Sequence, residues 1–374
     1  MLPTAIAAAA AAPPAEPSRF TARSPRRMIG AGENGMRAAR LRAIGDMALE
    51  DVPVPAPGPD DLLVRVEACG ICGSDRHMFR GEYPTGLPVT LGHEFCGMVE
   101  AVGANVARLR PGARITGDPN IACGHCRHCR DGRPNLCDSL AAIGVFRDGG
   151  FAEYVLVPQG QAVELPASLS PIHGAFTEPL ACCLHGLDVA RIVPGGSVAI
   201  LGGGVIGLLM VQLARLAGAT TVILSTRQRP RRELAEALGA THAVDAARPD
   251  LLDAVAGPAG IVPGGVDVVL ECAGRPETFA QSIAMARRGG AVVPFGVTPR
   301  GATVAVEPFA LLTRELRIEP AWLNPLTHAR AAKLIADGAL ALDRLVTRIV
   351  PLGEVPAIVA APPALGEIKI VAIP

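Results

Sequence analysis

Four cysteines, Cys123, Cys126, Cys129 and Cys137, spaced C-x2-C-x2-C-x7-C, constrain this chain more than any other stretch. Two-residue gaps form tight turns that aim successive sulfurs at a common centre, so the four thiols can converge on one tetrahedral ion. Four thiolates with no open position describe a structural zinc site, and soft sulfur favours zinc over magnesium or calcium. Disulfide scaffolds are the first rival, but these are short secreted chains, whereas this one has 374 residues, 49% of them hydrophobic. Ferredoxin-type iron–sulfur runs use other spacings, usually with a following proline. A closed zinc lobe explains a loop; the flanks must supply any activity.

The length suggests two domains with ample cores. A formal net charge of +0 comes with no basic stripe for nucleic acid, and 3% aromatics leave no stacking platform for bases. Ten cysteines in metal-like or scattered positions fit a reducing cytoplasm. Residues 1–35 read differently. Ala5 to Ala12 is nearly pure alanine, and the arginines follow that run rather than precede it, which argues against a secretory signal. An Arg-containing, acid-poor stretch also suits an organelle transit segment, but a disordered extension, or an upstream start codon with Met36 as the working start, is the expectation. The apolar stretch Val198–Leu224 is long enough to span a bilayer. Glycines at 202, 203, 204, 207 and 218 break it into strand, turn, helix and strand, so no membrane span is expected.

Short strands with turn signals dominate the region after residue 36, including Met36–Ile44 and Leu62–Cys69. Two motifs follow, Cys69-Gly-Ile-Cys72-Gly-Ser74-Asp75-Arg-His77 and Gly92-His93-Glu94-Phe-Cys96-Gly97. Cys, His and Glu are the ligand types of a catalytic zinc that keeps one position open. Asp75 can orient a ligating imidazole, that of His93, and Ser74 can hand a proton from a substrate alcohol toward His77. Cys69 and Cys96 taken alone are small core residues.

Further along, Val198–Leu201 is an apolar run ending in Gly202-Gly-Gly204-Val205-Ile206-Gly207, followed by an apolar helix, Leu208–Leu216. Between a strand and a helix these glycines allow a tight turn and close approach of a pyrophosphate to the helix N-terminus. The next strand, Thr221–Leu224, ends in Ser225-Thr226-Arg227, with Arg231 beyond. An NAD site would place a carboxylate there for the ribose hydroxyls. Hydroxyls and guanidinium groups instead suit a 2′-phosphate, so NADP is favoured over NAD, the alternative being a solvated basic helix start.

The order of these four motifs resembles that of the zinc-containing medium-chain alcohol and polyol dehydrogenases, from about residue 36 to the C-terminus. The resemblance implies an α/β chain with a β-rich GroES-like catalytic domain over 36–180, completed by 323–374, and a doubly wound Rossmann cofactor domain over 181–322. It implies two zincs per chain. Cys72 and His93 would hold the catalytic ion, and Cys123, Cys126, Cys129 and Cys137 the structural one. The third catalytic ligand stays open between Glu94 and Glu178, the latter in Glu178-Pro-Leu-Ala-Cys182-Cys183, with Glu178 otherwise acting through a water. Cys182 and Cys183 are expected to pack at a helix start. The implied activity is hydride transfer between a secondary alcohol or polyol and NAD(P), with Ser74, His77 and Glu178 as catalytic residues. A threonine-type amino-alcohol dehydrogenase, a zinc-free quinone reductase and a non-enzymatic nucleotide sensor are the rivals. A small-molecule substrate and a homodimer or homotetramer are further expectations, with specificity placed in the loops 79–88, 146–150 and 295–297.

Overall fold

The structure, a computed structural model, describes residues 35–374. The extension and transit readings of residues 1–35 lie outside that range except at Gly35, which opens a strand instead because its backbone pairs with Pro53.

Strand Asp61–Ile71 is the axis of the first half. It pairs antiparallel with Glu94–Val102, with Tyr154–Pro158 and with Lys369–Ile373, in a seven-stranded sheet completed by Arg114–Gly117, Ala162–Leu165 and Val346–Pro351. Its alternation sets the layers: Leu62, Val64 and Val66 are buried while Arg65 and Glu67 face outward. With Phe95, Val99, Ile115, Val155, Val157 and Ile370 they form one core. At about 25 cal/mol per Å2 of apolar surface, that shared face is the main stabilising term of the sheet. A small sheet of Gly35–Ala43, Asp46–Pro53 and Val89–Thr90 packs beside it.

The second half is a six-stranded, wholly parallel sheet. Its order is His242–Val244, Thr221–Ser225, Ser197–Leu201, Val266–Glu271, Ala286–Pro294, Arg317–Ile318. Strands covered on both faces read as continuous apolar runs, and period two splits each between two cores. Val198, Ile200, Val222, Leu224 and Val268 face one helical layer, and Ala199, Leu201, Ile223 and Val269 the other. Strand order reverses between Ser197–Leu201 and Val266–Glu271, and in open parallel sheets the crevice beyond that switch point is where ligands lie. Among the described residues no helix is long and apolar enough to cross a membrane; Val198–Leu224 divides into strand, helix Val205–Leu216 and strand.

Two elements join the halves. Helix Thr177–Ala190 packs against helices Val205–Leu216 and His328–Ala336. The second of these starts at His328, two residues after Leu326, whose backbone is left-handed (φ +58°). The terminal strand Lys369–Ile373 then returns to the first sheet.

Candidate active site and metal centres

Cys72 caps helix Gly73–Phe79, and its amide donates to Asp75 Oδ2 at 2.8 Å. That turn fixes Cys72 at the end of the central strand. Opposite it, Gly92 at φ +95° turns the chain into strand Glu94–Val102, and any Cβ there would collide with Phe151. Cys72 Sγ, a ring nitrogen of His93 and a Glu94 carboxylate oxygen come within 4.8 Å of one another. His93 Nδ1 lies 3.5 Å from Asp75 Oδ1, and both atoms are buried without another partner. Burial opposes a charge on His93, yet the Asp75 carboxylate, with Cys72 beside it, holds its pKa well above the usual histidine range. Thiolate, imidazole and carboxylate around one point, with a carboxylate behind the imidazole, is a donor set that fits zinc.

Lys369, unanticipated from the sequence, forms an ion pair with Glu94 in which each side chain is 1% exposed. Burial works against the lysine charge, but the Glu94 carboxylate raises its pKa above the ordinary value. Gly70 makes room for the pair: a Cβ there would sit 2.1 Å from Glu94 Oε2 and 2.7 Å from Lys369 Cε. One signal was available. Of 35 Lys and Arg residues only two are lysines, 333 and 369, the latter inside the apolar run Ile368–Ile373. Where arginine is the default cation, a lysine in a strand marks a place that needs a compact ammonium.

Glu178 sits in the first turn of helix Thr177–Ala190, buried on the same cavity but outside the three-residue donor set. Burial pushes its pKa up to about 7, against the opposing pull of His93. Cys182, one turn on, donates from Sγ to Glu178 Oε1 at 3.4 Å and lines the cavity, so it differs from the packing role expected of it; Cys183 is fully buried. Ser74 Oγ lies 3.3 Å from His93 Nε2. Among the described residues no hydrogen bond joins Ser74 to His77. The His77 ring turns outward instead, Nδ1 to Glu82 Oε2 at 2.5 Å, because Glu82 and Arg80 offer charge at the rim.

The four-cysteine lobe closes as its spacing predicts. Cys123 and Cys129 sulfurs are 4.0 Å apart and Cys126 and Cys129 sulfurs 3.5 Å, with all four ligand atoms within 4.8 Å. Sulfurs about 2.3 Å from a tetrahedral centre are separated by about 3.8 Å, so the set fits zinc. Amides of His125 and Cys126 aimed at Cys123 lower its pKa to about 6, toward the thiolate that a metal requires.

On the opposite wall, Gly202 takes φ +118° after strand Ser197–Leu201, and a Cβ on Gly207 would lie 1.8 Å from the Gly202 carbonyl oxygen. Helix Val205–Leu216 therefore starts close against the turn. Gly204 at its N-cap offers no side chain, which leaves the first amides open to an anion. Ser225 and Thr226 are buried at the end of the second strand, with Thr226 against Gly203, and Arg227 is exposed. Arg231, expected to face a phosphate, donates to the Glu367 carbonyl instead, while Arg232 donates to the carbonyls of Thr226 and Arg227 at 2.9 and 3.0 Å and pairs with Asp245. A backbone acceptor 136 residues away decides the orientation of Arg231, and local spacing carries no trace of it.

A cavity of about 400 Å3 lies between the walls. It touches Cys72, His93 and Glu178 on one side and Val205, Ile206 and Cys272 on the other. All three loops expected to set specificity reach it, through Tyr83, Phe146 and the segment 295–297, and Asn120 and Trp322 join them.

Residues 58–167 match the family described as the alcohol dehydrogenase GroES-like domain, and residues 205–337 that described as zinc-binding dehydrogenase. The chain belongs to the zinc-containing medium-chain alcohol and polyol dehydrogenases and is an NAD(P)-dependent oxidoreductase. Within that family it is 32% identical to sorbitol dehydrogenase of Bacillus subtilis (strain 168), over 83% of this chain and 89% of the relative. L-threonine 3-dehydrogenase of Chromobacterium violaceum is 35% identical, over 71% of this chain and 78% of that one. A Sinorhizobium meliloti 1021 structure, described as a zinc-binding dehydrogenase bound to NADP, is 59% identical with a TM-score of 0.90, covering 91% of this chain and all of that one.

Proposed function

We propose that the chain oxidises a secondary alcohol or polyol, reversibly, with NADP as the preferred hydride acceptor and two zincs per chain. The observation that carries the reading is the meeting of two sites in one cavity: the Cys72, His93 and Glu94 donors face the open helix start at Val205 and Ile206. When bound there, zinc supplies Lewis-acid polarisation that lowers an alcohol pKa, and the nicotinamide supplies the hydride acceptor.

The chain's own residues do the positioning. Asp75 fixes the His93 ring, and Glu94 serves as third donor with its charge balanced by Lys369. Glu178 faces the cavity as a carboxyl with its pKa near 7, suited to holding a substrate hydroxyl. Ser74 accepts the alcohol proton as its own hydroxyl proton passes through water to His77, which, paired with Glu82 at the rim, releases it to solvent. Cys123, Cys126, Cys129 and Cys137 hold the second zinc. NADP preference rests on Ser225, Thr226 and Arg227 standing where an NAD site needs a carboxylate, and is supported by the NADP in the Sinorhizobium relative. A threonine-type amino-alcohol substrate is the second reading, favoured by the Chromobacterium relative.

The test is zinc content together with NADP and NAD affinity for wild type and Cys72→Ser. Two zincs falling to one, with tighter NADP binding, is the expected result. One zinc in both proteins removes the catalytic metal from the scheme.

A further inference from the structure

One side chain on the cavity wall is oriented by a network that belongs to neither metal site. Asn120 Nδ2 donates to Asn324 Oδ1 and, at 3.4 Å, to Asp118 Oδ1. Asn324 Nδ2 in turn donates to Asp118 Oδ1 at 3.2 Å and lies 3.4 Å from His328 Nδ1, while His328 Nε2 is 3.3 Å from Thr116 Oγ1. Asn324 and His328 are 2% and 3% exposed. A carboxylate accepts only, so both amides must turn their nitrogens toward Asp118, and the flip of Asn120 is fixed. Its Oδ1 then has no hydrogen-bond partner among the described residues. It is also absent from the buried atoms that lack one, so it reaches open space, and Asn120 lines the cavity.

We infer that Asn120 is a specificity-determining residue. Its fixed Oδ1 accepts a hydrogen bond from a donor on the carbon next to the reacting carbinol and selects substrates that carry one. This rests on the dehydrogenase reading above. An amide oxygen held this way cannot swap ends to meet an acceptor, so a neighbouring hydroxyl or ammonium is favoured and a carboxylate or phosphate is not. A site built to bond a polar substituent discriminates against analogues lacking it, because its own polar group is left unpaired.

Three substrates test it: butan-2-ol, butane-1,2-diol and 1-aminobutan-2-ol, each with a secondary carbinol at C2 and differing at C1. Wild type is expected to show at least tenfold higher kcat/KM for a substituted substrate than for butan-2-ol, and the better of the two identifies hydroxyl or ammonium as the natural donor. Asn120→Ala is expected to lower that value about tenfold to a hundredfold while butan-2-ol changes less than threefold. Asn120→Ser, too short to reach, should behave alike and serves if the alanine variant does not fold. Asn324→Ala releases the anchor but keeps Oδ1, and should narrow the preference without abolishing turnover. Equal loss on all three substrates, or a preference unchanged in the Asn120 variants, overturns the inference and leaves the dehydrogenase standing. No turnover of any of the three with NADP or NAD by zinc-loaded wild type removes the underlying reading, and the inference with it.

Discussion

Replacing Lys369 with methionine tests how much the buried Glu94–Lys369 pair contributes to stability. Glu94 and Lys369 are each 1% exposed, and the lysine also donates to the Ile71 carbonyl at 3.2 Å. Methionine keeps most of the volume but leaves Glu94 without its counter-charge. Deleting one partner of a buried pair costs about 3–5 kcal/mol, and the lost bond to Ile71 adds about 1 kcal/mol. Substituting both partners removes the uncompensated charge, so Lys369→Met/Glu94→Gln should be more stable than Lys369→Met alone by about 2 kcal/mol or more. Urea unfolding of wild type, both single variants and the double, at matched zinc content, gives the cycle. A loss below about 1 kcal/mol in Lys369→Met, or single effects that simply add in the double, would refute the claim that the two act as a buried pair.

Three other outcomes are expected. Burial lowers the His328 pKa to about 3, below its unfolded value of about 6.5, so the unfolded chain binds the extra proton; stability is full above pH 6.5 and falls toward pH 3. The share from this residue is about 2 kcal/mol between pH 7 and pH 5, read as the difference in urea unfolding between wild type and His328→Gln; identical pH dependence in the two would count against it. Cys129→Ser should lose one zinc per chain and make the 123–137 segment sensitive to protease, measured by metal analysis and limited digestion; full zinc retention contradicts the closed four-sulfur site. Gly207→Ala forces a Cβ to within 1.8 Å of the Gly202 carbonyl, and nucleotide affinity by calorimetry should fall at least tenfold.

Legibility in the sequence tracked distance along the chain. The cysteine lobe and the glycines of 202–207 are contained within stretches of 15 residues or fewer, so spacing alone declares their geometry. Strands of the parallel sheet were readable because burial on both faces leaves unbroken apolar runs such as Val198–Leu201. Pairings across hundreds of residues left little trace. Lys369 meets Glu94 over a separation of 275, Arg231 turns to Glu367, and Asn324 anchors Asn120 from 204 residues away. Composition signals that such polar groups exist; only the fold says which partner each one finds.

The return of Lys369–Ile373 to the first sheet has a consequence for how the protein is made. Ile71 pairs with Ile370, so the central strand of the opening sheet waits for a neighbour that emerges about 300 residues later. The parallel unit is assembled from successive strand–helix segments and can collapse in that interval, since contacts between nearby segments close first. Tyr154–Pro158 covers Asp61–Arg65 earlier, but until the late strand docks the Cys69–Ile71 end carries an unpaired edge, and such edges invite pairing with other nascent chains. During synthesis this short edge gives a chaperone something to protect.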